Sequence, residues 1–229
     1  MTIALQIGDQ TWSHEGPGGA QASSHLIPEI MRLLAAAGTT LGELDAIAYG
    51  RGPGAFTGLR TACSVAQGLA FGADKPVLPI DTLLSIAGAL RAQAAAGSAD
   101  DVWVAMDARM DEIYATHCVY AGSADGGGWQ QPTAPCLLTP QALNALWHAA
   151  PPQRVAGTAL AVFGARLQCG AALQSPQALP DARAMLPLAA ALWAAGGAVD
   201  AAHALPLYLR DKVAQTMAER AAIKALAVT

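Results

Sequence analysis

Three glycines raise the first chemical question. Gly52, Gly54 and Gly58 lie within residues 46–72, a stretch that reads as an apolar strand, a glycine-rich turn and a helix of small residues. Glycines at a strand-to-helix turn let backbone amides approach a phosphate closely, and the helix N-terminus adds its positive end. The spacing is G-x-G-x-x-x-G, one residue away from the dinucleotide fingerprint, and Gly58 is followed by Leu59-Arg60 rather than by Lys and Ser or Thr. Both standard nucleotide motifs therefore fail. Two readings stay open: an anion-binding turn, or a tight turn with no ligand.

Other reactive side chains are scattered. His14, His25, His117, His148 and His203 include no H-x-x-x-H or H-E-x-x-H spacing, so no helix-borne metal pair is indicated. Asp107, Asp111 and Glu112 form a local acidic cluster. It can hold a cation, or it can be the solvated rim of a hairpin turn. There is no G-x-S-x-G elbow, and Cys63, Cys118, Cys136 and Cys169 include no C-x-x-C pair. Their wide spacing in a chain of 229 residues reads as free thiols in a reducing cytosol.

These residues need a scaffold, and the composition supplies one. The chain is 53% hydrophobic and 13% charged, enough apolar residue for a sizeable core. A net charge of −4 argues against tight independent binding to nucleic acid. No basic segment followed by an apolar run opens the sequence, and the longest apolar run, 184–199, is interrupted by Pro187, Gly196 and Gly197. It reads as a core helix of a cytoplasmic protein, without membrane association.

Residues 3–7 and 11–14 read as a hairpin around Gly8-Asp9-Gln10. A helix capped by Ser23 or Ser24 runs to Ala37, with Gly38 as its stop and Pro28 in its first turn. Strands at 45–49 and 75–80 alternate with helices at 57–71 and 82–96, the pattern of parallel strands with crossover helices. Beyond residue 97 the pattern changes. Strands at 102–106 and 112–120 flank a turn at 107–111, and a loop at 123–128 follows. A helix at 139–149, a strand at 154–158 and a helix at 183–195 complete the chain. The expectation is an α/β protein of two lobes, residues 1–100 and 101–204, with 205–220 packing back on the first. On the helix at 57–71, Ala62, Ala66 and Ala70 share one side, and Ser64, Gly68 and Gly72 another. Such sides suit close helix packing, inside the domain or between subunits.

One segment resembles a known family. Arg51-Gly52-Pro53-Gly54-Ala55-Phe56-Thr57-Gly58-Leu59-Arg60 is similar to the G-R-G-P-G-S-F-T-G-L-R signature of the bacterial TsaB (YeaZ) family, with Ala55 at the usual serine. Ser24-His25-Leu26-Ile27-Pro28, Gly68-Leu69-Ala70-Phe71-Gly72 and Lys75-Pro76-Val77 follow the family order. Met106-Asp107-Ala108-Arg109-Met110-Asp111-Glu112-Ile113-Tyr114 resembles its D-A-R-x-x-E-V-Y hairpin. Pro206-Leu207-Tyr208-Leu209-Arg210-Asp211-Lys212-Val213-Ala214 resembles its closing P-x-Y-L-R-D-K-V-A.

The resemblance implies two ribonuclease H-like lobes of the actin/hexokinase/Hsp70 superfamily. It also implies a non-catalytic scaffold and dimerisation subunit in the formation of threonylcarbamoyladenosine beside the tRNA anticodon. The implied partners are the catalytic paralogue TsaD and the ATPase TsaE, with tRNA met indirectly through the complex and a homodimer when the chain is alone. The paralogue's H-x-x-x-H metal pair aligns with Thr82 and Ile86, and isoleucine has no donor atom. No metal or catalytic residue is expected, and no firm cofactor; ATP or ADP at a subunit interface is the weak candidate. Partner contacts are expected at Leu26, Ile30, Leu33, Arg60, Ser64 and Gln67. Family members usually begin with an I-L-A-I-D-T-S-T-like strand at the centre of the first sheet, and residues 3–7 match the strand after it, so the first lobe is expected to be truncated. The competing classes are an ATP-dependent small-molecule kinase of the same superfamily and a glycoprotease-like metallopeptidase.

Overall fold

The computed structural model describes residues 1–19, 22–93, 100–122 and 128–210. The end of the helix expected at 82–96, the lobe boundary near residue 97, most of the loop at 123–128 and the tail beyond Arg210 lie outside the described residues.

The chain opens with an antiparallel hairpin, β1 (Thr2–Ile7) and β2 (Gln10–Glu15), turned at Gly8 with φ +57°. Helix α1 (Ala22–Ala37) stops at Gly38, whose φ of +68° lets Gly38 and Thr39 donate back to Ala35 and Leu34. The helix begins earlier than its serines suggest, so Pro28 falls beyond the first turn and removes an internal hydrogen bond. Strand β3 (Ile47–Gly52) leads into α2 (Phe56–Ala73), then β4 (Val77–Asp81) and α3 (Thr82–Arg91). β3 and β4 pair in parallel, as the intervening crossover helix requires.

The second lobe is built on one five-stranded sheet of order β7-β6-β5-β8-β9. Its strands are β5 (Asp100–Arg109), β6 (Glu112–Ala121), β7 (Gly128–Leu138), β8 (Arg154–Ala156) and β9 (Leu173–Ser175). β5 is antiparallel to β6 and parallel to β8. Helices α4 (Pro140–Ala149) and α5 (Ala159–Phe163) cover one face, where Ile113, Leu143, Trp147, Val155 and Phe163 form a buried cluster. On the other face Val102, Val104 and Cys118 meet Leu83 and Ile86 of α3.

The chain then returns to the first lobe. Helix α6 (Ala182–Ala194) packs against α3, β1 and β4, and its Ala189 joins Leu78 and Ile80 in a core cluster. Ala201 and Ala204 pack with Tyr49, Cys63, Ala66 and Ala70. The return thus begins at α6, ahead of residues 205–220. No helix among the described residues is long and apolar enough to cross a membrane.

Candidate functional site

The glycine turn is shaped by a neighbouring chain segment. Gly52 is buried with φ +123°, and a Cβ there would lie 2.7 Å from the Leu207 carbonyl oxygen. The Leu207 N–H donates to the Arg51 carbonyl at 2.6 Å, and the Gly52 N–H donates to the Thr82 hydroxyl at 3.0 Å. Gly52 is therefore imposed by close backbone packing. Gly54 and Gly58 are not: a Cβ on Gly54 finds only Leu59 at 3.5 Å, and one on Gly58 meets open space. Arg51 is held by Asp81 at 2.6 Å.

Residues 204–210 strap this turn to the rest of the molecule. The Tyr49 hydroxyl donates to the Leu205 carbonyl at 3.2 Å, and burial pushes its pKa up to about 12. The Cys63 thiol meets the Ala204 carbonyl at 3.4 Å. The Tyr208 ring lies 4.8 Å from Phe56, and Arg60 stacks on the Phe56 ring at 3.8 Å while its Nε donates to the Tyr208 hydroxyl at 3.2 Å. Arg210 crosses to the second lobe, pairing with Glu112 and donating to the Ala108 and Arg109 carbonyls at 3.1 Å. The glycine-turn signature and the 106–114 hairpin, separate in sequence, thus converge on one strap, which no local pattern announces.

The acidic cluster is the exposed rim of the hairpin turn, with its carboxylates engaged by arginines and backbone rather than forming an open cation cradle. Asp107 accepts from the Arg109 N–H at 2.8 Å, and Asp111 takes both arms of Arg166 at 2.5 and 2.7 Å. That arginine holds the Asp111 carboxyl below its usual range. Glu112 belongs to Arg210. Between them Arg109, Met110 and Asp111 all have positive φ, from 56° to 63°. At the positions aligned with the paralogue's metal pair, the Thr82 hydroxyl accepts from Gly52 and Ile86 is fully buried in the core.

The expected contact residues divide into two groups. Leu26, Ile30 and Leu33 line a partly open cavity of about 590 Å³, and Leu33 is only 4% exposed. The outward positions on α1 are Ile27 and Met31, 45% and 48% exposed. On α2, Leu59, Cys63, Ala66 and Ala70 are buried, whereas Arg60, Ser64, Gly68, Phe71 and Gly72 are exposed and Gln67 is intermediate. Phe71 is 82% exposed, and a Cβ on Gly68 or Gly72 would meet nothing within 4 Å. The α2 helix therefore carries a small-residue stripe with an aromatic end that packing among the described residues does not explain.

A two-lobed α/β chain with a glycine turn under a C-terminal strap and an open small-residue helix face defines a class of fold, and known proteins share it. A solved structure from Pseudomonas aeruginosa, of a protein with similarity to the peptidase YeaZ, superposes with a TM-score of 0.81 at 35% identity, covering 91% of this chain and 94% of that one. YeaZ from Pseudomonas aeruginosa superposes at 0.78 with 34% identity, over 90% and 94%. The tRNA threonylcarbamoyladenosine biosynthesis protein TsaB of Escherichia coli strain K12 is 35% identical over 196 residues, 84% of this chain and 82% of that protein. The family model for TsaD, tRNA N6-adenosine threonylcarbamoyltransferase, matches residues 7–221.

The chain belongs to the TsaB (YeaZ) family of tRNA threonylcarbamoyladenosine biosynthesis proteins, within the wider group that the TsaD model describes.

Proposed function

We propose that this chain is the non-catalytic scaffold subunit of the threonylcarbamoyladenosine modification complex, cytoplasmic, and that it activates the paralogue TsaD by docking against it. The outward faces of α1 and α2 form the docking surface, with TsaE joining the complex and tRNA meeting it through TsaD. The observation that carries this reading is the α2 stripe: Ser64 is exposed, a Cβ on Gly68 or Gly72 would meet open space, and Phe71 is 82% exposed beside them. A helix with small residues along one face accepts a second helix at close range, and an aromatic at its end supplies the apolar anchor. Alone, the chain pairs with itself through the same face. The internal hydrogen bonds of Gly52 and the pairing of Arg51 with Asp81 support a structural role for the glycine turn. A nucleotide at the interface, if one binds, meets Gly54 and Gly58 rather than Gly52.

Substitution Ser64→Trp tests this surface. Ser64 is exposed, so tryptophan is accommodated without disturbing the core. We expect loss of co-elution with TsaD and of tRNA modification by at least about tenfold, because a large ring on the face blocks close approach. Unchanged co-elution and modification would remove α2 from the interface. Modification that proceeds equally without the chain would overturn the scaffold reading itself.

A further inference from the structure

Among the described residues, every arginine but one lies within 4.0 Å of a carboxylate, from Arg32 with Glu29 to Arg210 with Glu112. The exception is Arg60. It is also the one charged residue of α2. Its position is unfavourable for a lone cation. Arg60 stands beside the N-terminal turn of the helix, where Ala55 supplies no side-chain cap and the open N–H groups carry partial positive charge. Helix stability alone gives no reason for an arginine there.

Arg60 is exposed and yet held in place. Its guanidinium stacks 3.8 Å above the Phe56 ring, and its Nε donates to the Tyr208 hydroxyl at 3.2 Å. Tyr208 lies against Phe56 at 4.8 Å, next to the Leu207 N–H that ties the strap to Arg51. The terminal nitrogens of Arg60 have no hydrogen-bond partner among the described residues. An arginine usually loses rotamer freedom when it binds, but the stack and the hydrogen bond have already ordered this one. What stays free is the end of the planar fork, which matches a carboxylate.

We propose that Arg60 is a preorganised anchor for an acidic side chain on the protein that docks against α2. Resting on the docking reading above, the assignment adds the chemistry the partner must bring. That chemistry is an Asp or Glu carboxylate over the first turns of α2, which accepts from the terminal nitrogens of Arg60 and complements the positive end of the helix. Tyr208 acts through Arg60 as a positioning residue. The surroundings favour a protein over a nucleic acid. Phe71, 82% exposed, follows Arg60 by about three helical turns and so shares its face. The net charge of the chain is −4. An exposed aromatic and an arginine on one face are the residue types that anchor protein interfaces.

The test measures the affinity of the full chain and its variants for purified TsaD at about 0.05 M and about 0.5 M salt. Arg60→Met keeps an unbranched side chain against Phe56 and removes the charge. It should weaken binding at least about tenfold at low salt and flatten the salt dependence, with Tm unchanged. Arg60→Lys should keep the salt dependence and lose part of the affinity, because an ammonium does not offer the fork. Tyr208→Phe should weaken binding by about two- to fivefold in the parent chain and have no further effect beside Arg60→Met. Parent affinity and salt dependence in Arg60→Met, with binding lost in Ser64→Trp, would overturn the anchor and leave the docking face standing. Binding that survives Ser64→Trp would remove the face and the anchor with it. An effect of Arg60→Met confined to tRNA binding would overturn the proposal in favour of a phosphate, and one confined to self-association would overturn it in favour of a second copy.

Discussion

The two lobes differ in how their described strands join: the second is one five-stranded sheet, and the first holds two separate two-stranded sheets. In the second, β5 carries the sheet: Val102, Val104 and Ala105 are 0–1% exposed, with helices on both faces. In the first, a cavity lies between β1 and β3. The consequence is visible in side chains. Ala48 in the parallel strand β3 is exposed and borders that cavity, whereas Ala156 in the parallel strand β8 of the second sheet is fully buried. Identical residue types in parallel strands therefore carry different energetic weight. Packing around a central strand, rather than strand propensity, decides how much each apolar side chain contributes.

That contrast is measurable with one pair of truncations. Leu143→Ala removes a fully buried side chain from the cluster with Trp147 and Ile113, and should cost about 3–5 kcal/mol. Leu69→Ala removes a half-buried side chain that already borders the cavity, and should cost about 1–2 kcal/mol. Denaturant unfolding of both variants gives the comparison directly. Equal costs would mean that the first lobe is as tightly packed as the second.

A smaller effect tests the strap that joins the lobes. Gly52→Ala places a methyl group 2.7 Å from the Leu207 carbonyl at a φ of +123°. Strain of this kind costs about 1–3 kcal/mol. It is relieved by lifting residues 205–208 off the first lobe, so limited proteolysis should cut there sooner than in the parent chain. Gly58→Ala, with open space at its Cβ and a helical position, should be neutral or slightly stabilising. Equal protease sensitivity in the two variants would mean that the strap is not held at Gly52.

Much of the fold was legible. The hairpin at β1–β2, the alternation from β3 to α3, and the positions of α4 and α6 follow from periodicity and capping residues. β7 was not legible, because Pro132 and Pro135 interrupt its pattern. The sheet tolerates them because β7 is an edge strand, and its register breaks beside Thr133 and Cys136. β9 and α5 are short enough to carry no periodic signal. The site was legible only in part. Motif order located the glycine turn, but the role of Gly52 depends on Leu207, which is distant in sequence. Helical spacing correctly groups Leu26, Ile30 and Leu33 on one side of α1, yet spacing does not say whether a side faces a partner or a cavity. The exposure of Ile27, Met31 and Phe71 came only from tertiary packing.

The smallest effect lies at the tip of the second lobe's hairpin. Arg166 lowers the Asp111 pKa from its ordinary value of 3.8 by hydrogen bonding and charge. A carboxylate with a depressed folded pKa stabilises the fold fully above its unfolded value, and the contribution fades as pH falls through the folded value. Asp111→Asn should therefore lower Tm slightly at neutral pH, and the difference should shrink below pH 3.8. Both partners are exposed, so screening should also reduce it in about 1 M salt. A Tm difference that is unchanged by acid and salt would mean that the ion pair is not its source. Asparagine tolerates the left-handed backbone of Asp111, where φ is 61°, about as well as aspartate, so the backbone contribution should cancel in this substitution. The pH dependence then isolates the charge, and it sets how much of the second lobe's order rests on its surface pairs rather than on β5 and its two covered faces.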